Sequence, residues 1–144
     1  NVMLGYYKDP VRTKESFTTD GWLRTGDIGF QDADGFFFVT GRSKELIIKG
    51  GENIAPREID EAVLKHPKVL DAAAVGVPHP EYGQEIAVYL VMRDGAEFDA
   101  ADLRRHCLAE LGNYKCPSRF VLMDELPRGP SGKLQRLRLL DQPA

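Results

Sequence analysis

Two runs rich in valine, isoleucine and alanine, Val69–Val77 and Glu85–Met92, constrain this chain more than any other feature. Short apolar runs with β-branched residues, bounded by turn formers, favour strands, and the segment between these two carries Pro78, His79, Tyr82 and Gly83. They are expected to be two strands joined by a longer connection. Side chains alternate along a strand, so Ile86, Val88, Leu90 and Met92 share one face of the second.

Helix signals surround the pair. Pro56 suits a first helical turn, Glu58, Asp60 and Glu61 stand near the positive end, and Lys65 and His66 stand near the negative end before Pro67. The apolar stripe of this helix is Ile59, Ala62 and Val63. Asp99 is a suitable cap for a second helix through Leu111, with Leu103, Cys107 and Leu111 at fourfold spacing and Gly112-Asn113 as the exit. Ser118–Glu125 supplies one more strand. Helix, strand, strand, helix, strand in this order implies an α+β fold: a small mixed or antiparallel sheet with helices on one face. Leu126–Gly132 then reads as a turn-rich loop leading into a basic tail, Lys133–Leu140.

The first forty residues differ, being dominated by Gly, Asp, Thr and aromatics. Their short alternating stretches, Asp27–Gln31 and Phe36–Thr40, flank Asp34-Gly35, which predicts a β-hairpin. The apolar run Leu46–Lys49 enters Gly50-Gly51, where a strand ends and the backbone is free to take positive φ.

A chain of 144 residues with 42% hydrophobic and 28% charged residues is enough for one ordinary domain with its own core, and too apolar for a disordered tail. The formal charge of −3 gives no general reason to expect nucleic acid or a membrane surface as partner. No window approaches the roughly 18 apolar residues of a membrane helix, and NVMLGYYKDP lacks the pattern of a signal peptide. Cys107 and Cys116 have neither metal-site spacing nor the density of a secreted disulfide scaffold, so a reducing cytoplasm fits best. The first residue is not Met, and the chain is expected to be a piece of a longer protein.

Common motif templates fail. RGPSGKLQ has Leu134 where a phosphate loop of the Walker type needs Ser or Thr, Ser131 in GPSG misses the esterase elbow, and KGGENIAP is no dinucleotide fingerprint. His66, His79 and His106 are scattered, so no metal site is expected. What remains is a series of polar loop residues: Arg24-Thr25-Gly26-Asp27, Gly41-Arg42-Ser43-Lys44, Gly50-Gly51-Glu52-Asn53 and Pro127–Lys133.

Taken in order, GYYKDPVRTKESFTTDGWLRTGD, GRSKELIIKGGENIAPREID and LPRGPSGKLQR closely resemble the second half of the adenylate-forming enzymes. That superfamily comprises acyl-CoA synthetases, peptide-synthetase adenylation domains and firefly luciferase. The resemblance runs from about Leu4 to Leu137. It implies that residues 1–42 end a large N-terminal domain holding ATP and a carboxylic acid, and that residues 43–144 form the mobile C-terminal domain capping it. The Ser/Thr/Gly-rich phosphate loop of the family's first half is absent, so this chain alone is not expected to turn over.

The same resemblance assigns roles. Asp27 matches the ribose-binding aspartate, and an ionised carboxylate is able to accept hydrogen bonds from both ribose hydroxyls. Arg42 matches an arginine that approaches the nucleotide, and Lys44 falls at the hinge between two domain orientations. Lys133 matches the catalytic lysine of adenylation, where a fixed ammonium offsets the repulsion between a carboxylate and the α-phosphate of ATP. Gly50 and Gly51 match a loop lining the tunnel for the pantetheine arm of CoA, and Arg136 and Arg138 are candidates for CoA phosphates. Trp22, Tyr6 and Phe36–Phe38 are expected to serve packing.

The implied protein is an AMP-forming acyl-CoA synthetase using ATP, Mg2+ and CoA, with a carboxylic acid as the other substrate and its own N-terminal domain as partner. GRSKELIIKGGENIAP leans toward medium-chain, long-chain and aryl synthetases, hence toward fatty acid metabolism. Two rivals are an adenylation domain that loads a carrier-protein pantetheine, against which the short tail ending DQPA argues, and a non-catalytic domain binding nucleotide or a partner.

Overall fold

Strand alternation in the two apolar runs becomes the centre of a mixed sheet. The computed structural model describes residues 1–141; residues 142–144 of the DQPA tail lie outside it. In chain order the elements are α1 (Pro10–Glu15), β1 (Asp27–Gln31), β2 (Phe37–Arg42), β3 (Ile47–Lys49), β4 (Glu52–Ile54), α2 (Pro56–Leu64), β5 (Val69–His79), β6 (Gly83–Met92), α3 (Ala100–Lys115) and β7 (Arg119–Leu122). Single 3-10 helices occupy Ser43–Glu45 and Arg136–Asp141. Strands β1 and β2 form an antiparallel hairpin by themselves. The other five make one sheet, β4-β3-β6-β5, with β7 running parallel to β6 and all other pairs antiparallel.

Strand β6 is buried on both faces, and each face builds its own core. Ile86, Val88 and Leu90 join Ala72 and Ala74 of β5 beneath α2 and α3, whose inward residues are Ile59, Val63, Leu103 and Cys107. Ala87 and Tyr89 join Ala73 and Val75 on the opposite face, where Leu126 and Leu139 cover them. The helices thus lie on one face as expected. The other is closed by the segment that follows β7, whose turn-rich, basic sequence gives little hint of a covering layer. A fully buried Leu or Ile contributes about 1.5–3 kcal/mol, so Leu139 is a substantial anchor for that segment.

One expectation is corrected, and one element was not expected. The connection between β5 and β6 is a tight hairpin, because pairing continues through Pro78 until His79 faces Gly83. Proline is tolerated there because β5 is an edge strand. Helix α1 is absent from the sequence reading although its signal exists: Pro10 stands at the first turn and the Asp9 carboxylate accepts from the Arg12 amide at 2.9 Å. Helix α3 is capped by Asp99, which accepts from Ala101 and Asp102, and it breaks at Gly112 (φ 71, ψ 177).

The open edge of β5 is closed by side chains. The Ala74 amide donates to Asp60 Oδ1 at 2.6 Å, and the Ala74 carbonyl accepts from Arg136 Nη1 at 2.6 Å. Arg136 in turn grips both Asp60 oxygens, at 2.6 and 3.2 Å, and its Nε lies 3.3 Å from Glu45 Oε2. Asp60 and Arg136 are both buried. Burial pushes the Asp60 carboxyl above the ordinary carboxylate range, and the guanidinium pulls it back only in part. Four of the five N–H donors of Arg136, expected as a candidate for a CoA phosphate, are thus taken up in this structure by Asp60, Glu45 and the Ala74 carbonyl.

Removing one partner of a buried pair strands the other. Arg136→Met is expected to destabilise the chain by about 3–5 kcal/mol near neutral pH. The loss should narrow between a neutral and an acidic pH, because burial already raises the Asp60 carboxyl and the stranded group takes up a proton as pH falls. Urea unfolding of both proteins at the two pH values measures this, and a difference independent of pH would contradict it.

Candidate functional site

Asp27 and Arg42 stand directly opposite each other at the open end of the β1–β2 hairpin. Arg42 Nε lies 3.2 Å from Asp27 Oδ1, and the two side chains are 61% and 35% exposed, so both keep unused hydrogen-bonding positions facing solvent. The Asp27 amide donates to Thr25 Oγ1, and the Ser43 amide donates to the Gly26 carbonyl at 2.9 Å, which closes the mouth of the hairpin. A bulge between Ile28 and Gly29 shifts the register so that Gly29 faces Val39. A Cβ on Gly29 would lie 2.3 Å from the Phe38 carbonyl oxygen, so only glycine fits this close approach.

Lys44 is exposed in the 3-10 turn Ser43–Glu45. Its neighbours are fastened to different parts of the molecule: Ser43 to Gly26 of the hairpin, and Glu45 to Arg136 of the sheet edge. Between the hairpin and α2 lies a groove of about 620 Å3, lined in part by Phe30, Phe38, Val39 and Glu61 and crossed by a 3.3 Å hydrogen bond from Arg57 to the Val39 carbonyl. Among the described residues nothing covers Trp22, Phe36 or Phe37, which are largely exposed rather than packed as expected, whereas Phe38 stacks on Phe30.

The loop bearing Lys133 is a small closed structure. Arg128 bridges Leu134, the Gly129 amide donates to the Lys133 carbonyl at 2.8 Å, and the Gln135 amide donates to the Pro127 carbonyl at 2.8 Å. Arg128 fixes the loop further by donating to the Gly132 carbonyl and pairing with Asp71 of β5. The four cations of this region therefore divide. Arg128 and Arg136 are held by Asp71 and by Asp60 and Glu45. Lys133 and Arg138 are exposed and make no ion pair among the described residues.

Gly50 and Gly51 form the two-residue turn between β3 and β4, where Lys49 pairs Glu52. Both have positive φ (55° and 85°), the backbone shape that suits a tight hairpin and that glycine adopts without strain. Behind the turn is a polar cluster that sequence reasoning missed. Lys49, buried at 7% exposure, pairs with Glu85 at 2.7 Å and lies against the rings of Tyr82 and Tyr114. These residues are distant in sequence, and the only local signal is a lysine ending an apolar strand. The structure brings Asp27 and Arg42 together, but no hydrogen bond or ion pair links them to Lys133 or to the glycine turn among the described residues.

Burial pushes the Cys107 thiol up to about 12 and also raises that of Cys116, so neither supplies a thiolate nucleophile at neutral pH. Among the described residues no group of three or more His, Cys, Asp or Glu side chains gathers as a metal site, and no helix is long and apolar enough to cross a membrane.

The profile of the AMP-binding enzyme C-terminal domain matches residues 58–133. A sulfoacetate–CoA ligase of Cupriavidus necator is 69% identical over 141 residues, covering 98% of this chain and 28% of that protein. ATP-bound MatB of Rhodopseudomonas palustris superposes with a TM-score of 0.91 at 35% identity, covering 98% of this chain and 28% of that one; its apo form scores 0.70 over the same share. An o-succinylbenzoate CoA synthetase of Bacillus subtilis, in complex with its acyl-adenylate intermediate, scores 0.89 at 39% identity, covering 99% of this chain and 29% of that one. The chain therefore spans little more than a quarter of the length of these relatives.

Because the Gly29 bulge sets the register that pairs Asp27 with Arg42, Gly29→Ala is expected to destabilise the hairpin by about 1–3 kcal/mol. A lowered Tm with lost Asp27–Arg42 proximity by NMR is the expected outcome; an unchanged melt would contradict the close approach.

Proposed function

The chain belongs to the AMP-binding enzyme C-terminal domain family, and on that footing we propose that it is the mobile capping part of an AMP-forming acid–thiol ligase, an acyl-CoA synthetase. A carboxylate oxygen attacks the α-phosphorus of ATP, the bond to pyrophosphate breaks, and an acyl-adenylate forms. The CoA sulfur then attacks the acyl carbon and AMP leaves. The relatives' names as CoA ligases support this reading.

The observation that carries it is the division of charge around Lys133. Its neighbours Arg128 and Arg136 are neutralised by carboxylates, whereas the Lys133 ammonium makes no ion pair among the described residues and sits on a loop closed by its own backbone bonds. A fixed cation without a partner is what two approaching anions require, since stabilising developing charge with a preorganised group needs no reorganisation at the moment of reaction. In this reading Asp27 and Arg42 receive the ribose and neighbouring oxygens of the nucleotide. Lys44 is the residue about which residues 43–144 turn relative to residues 1–42. Gly50 and Gly51 pass the pantetheine arm, and Arg138 remains a candidate for a CoA phosphate. The higher TM-score against ATP-bound MatB than against its apo form supports reading the present arrangement as the ATP-bound one.

Magnesium accompanies ATP and offsets its phosphate charge. This chain offers no cluster of three candidate ligands among the described residues, so its ligands would be mainly phosphate oxygens and groups outside this chain. Two free, buried thiols suit a reducing cytoplasm. For the acid, the sulfoacetate ligase at 69% identity favours a short anionic carboxylic acid over the fatty acids toward which the glycine-loop sequence leans.

In a full-length ligase carrying this chain, with sulfoacetate as the acid, Lys133→Ala should slow ATP–pyrophosphate exchange by roughly 100- to 1000-fold. Thioester formation from supplied acyl-adenylate should stay within about threefold of wild type, since the repulsion between carboxylate and α-phosphate that the cation offsets is gone once the acyl–phosphate bond has formed. Equal loss of both steps would overturn the division of labour.

A further inference from the structure

The cluster behind the Gly50-Gly51 turn is built to hold that turn still. Lys49 and Tyr114 bind each other in both directions: the Lys49 ammonium donates to the Tyr114 carbonyl at 2.9 Å, and the Tyr114 hydroxyl donates to the Lys49 carbonyl. The break at Gly112 makes this possible. It bends residues 113–115 out of the regular helix, and carbonyls at a helix end lack intrahelical partners. Lys49 satisfies one of them with a cation, the charge that a helix C-terminus favours. Glu85 holds the same ammonium from β6 at 2.7 Å. On the other flank the Gly50 amide donates to the Tyr82 carbonyl at 2.9 Å.

The turn is therefore fastened on both sides, to the end of α3 and to the β5–β6 hairpin. The fastening is close: a Cβ at Gly50 would lie 3.2 Å from the Tyr114 hydroxyl. Both rings remain partly open beside the turn, Tyr82 at 45% and Tyr114 at 40% exposure. Lys49, Tyr82, Glu85, Arg104 and Tyr114 line a cavity of about 260 Å3 behind it. A tight turn that only joined two short strands would need none of this, since two glycines and the strand pairing suffice.

We infer that Tyr114 and Lys49 are positioning residues for the acyl-transfer step, holding the Gly50-Gly51 backbone in the one shape that admits a thiol-bearing arm. This rests on the reading of that turn as the pantetheine passage. Tyr114 acts through its hydroxyl on the Lys49 carbonyl that enters the turn, and the Lys49 ammonium fixes Tyr114 by holding the Tyr114 carbonyl. Neither touches the reacting atoms.

The test uses a full-length ligase carrying this chain, with acyl-adenylate and CoA for the transfer step and ATP–pyrophosphate exchange for the adenylation step. Tyr114→Phe keeps the ring and removes the hydroxyl bond, a change that a folded chain tolerates. The ratio of transfer rate to exchange rate should fall about three- to tenfold, the worth of one hydrogen bond, with the KM for CoA rising. Gly50→Ala serves as the control on the turn itself, and should lower the same ratio. If Gly50→Ala lowers it and Tyr114→Phe does not, the positioning role is overturned while the passage stands. If neither variant changes it, the passage reading fails and the inference with it. If Tyr114→Phe lowers both steps equally, the hydroxyl serves only the fold, which also overturns the inference.

Discussion

One buried guanidinium does the work of a missing strand. Strand β5 ends the sheet, so the backbone groups of Ala74 face outward with no neighbour to pair them. Asp60 and Arg136 satisfy both groups, and each satisfies the other. A buried ion pair recovers its desolvation cost only when the remaining donors and acceptors are also used, and here Glu45 and the Ala74 carbonyl take up other donors of Arg136. The pair therefore joins the first turn of the small sheet domain, helix α2, the sheet edge and the C-terminal 3-10 helix in a single contact.

That contact organises the candidate site. Arg136 lies three positions beyond Lys133, and Glu45 lies one beyond Lys44. Because Glu45 is tied to Arg136, and Arg136 to Asp60 and β5, the proposed rotation at Lys44 would carry the Lys133 loop with the sheet, with Ser43 held back by its bond to Gly26. The glycine turn is fastened to the same body from another side, through Lys49, Tyr114 and Tyr82. One domain would then present either the ammonium or the glycine turn without internal rearrangement. Such an arrangement would suit the two consecutive steps of the proposed reaction, since precision in each depends on groups held in place before the substrate arrives.

Much of this was legible from residues alone, for identifiable reasons. The α2 stripe of Ile59, Ala62 and Val63 and the shared face of Ile86, Val88 and Leu90 follow from local periodicity, and both appear in the core. The hairpin, the Asp99 cap and the break at Gly112 carry short-range signals as well. Long-range polar partnerships carry none. Arg136 and Arg138 look alike in a basic tail, yet one is buried against Asp60, 76 positions away, and the other faces solvent. Lys49 and Tyr114 are 65 positions apart, and only the folded chain joins them. The loop after β7 looks like a solvated tail because its apolar anchors, Leu126, Leu134 and Leu139, are too few and too spaced to form a periodic pattern.

Amide hydrogen exchange on the wild-type chain tests the clamp most directly. The Ala74 amide is protected by the Asp60 carboxylate, and the Gly129 and Gln135 amides by the closed Lys133 loop. If the ion pair makes sheet edge and loop one body, all three should exchange slowly and open with the same free energy as the surrounding sheet. Free exchange at Gly129 and Gln135 beside a protected Ala74 would show a loop that moves by itself, and would contradict the account.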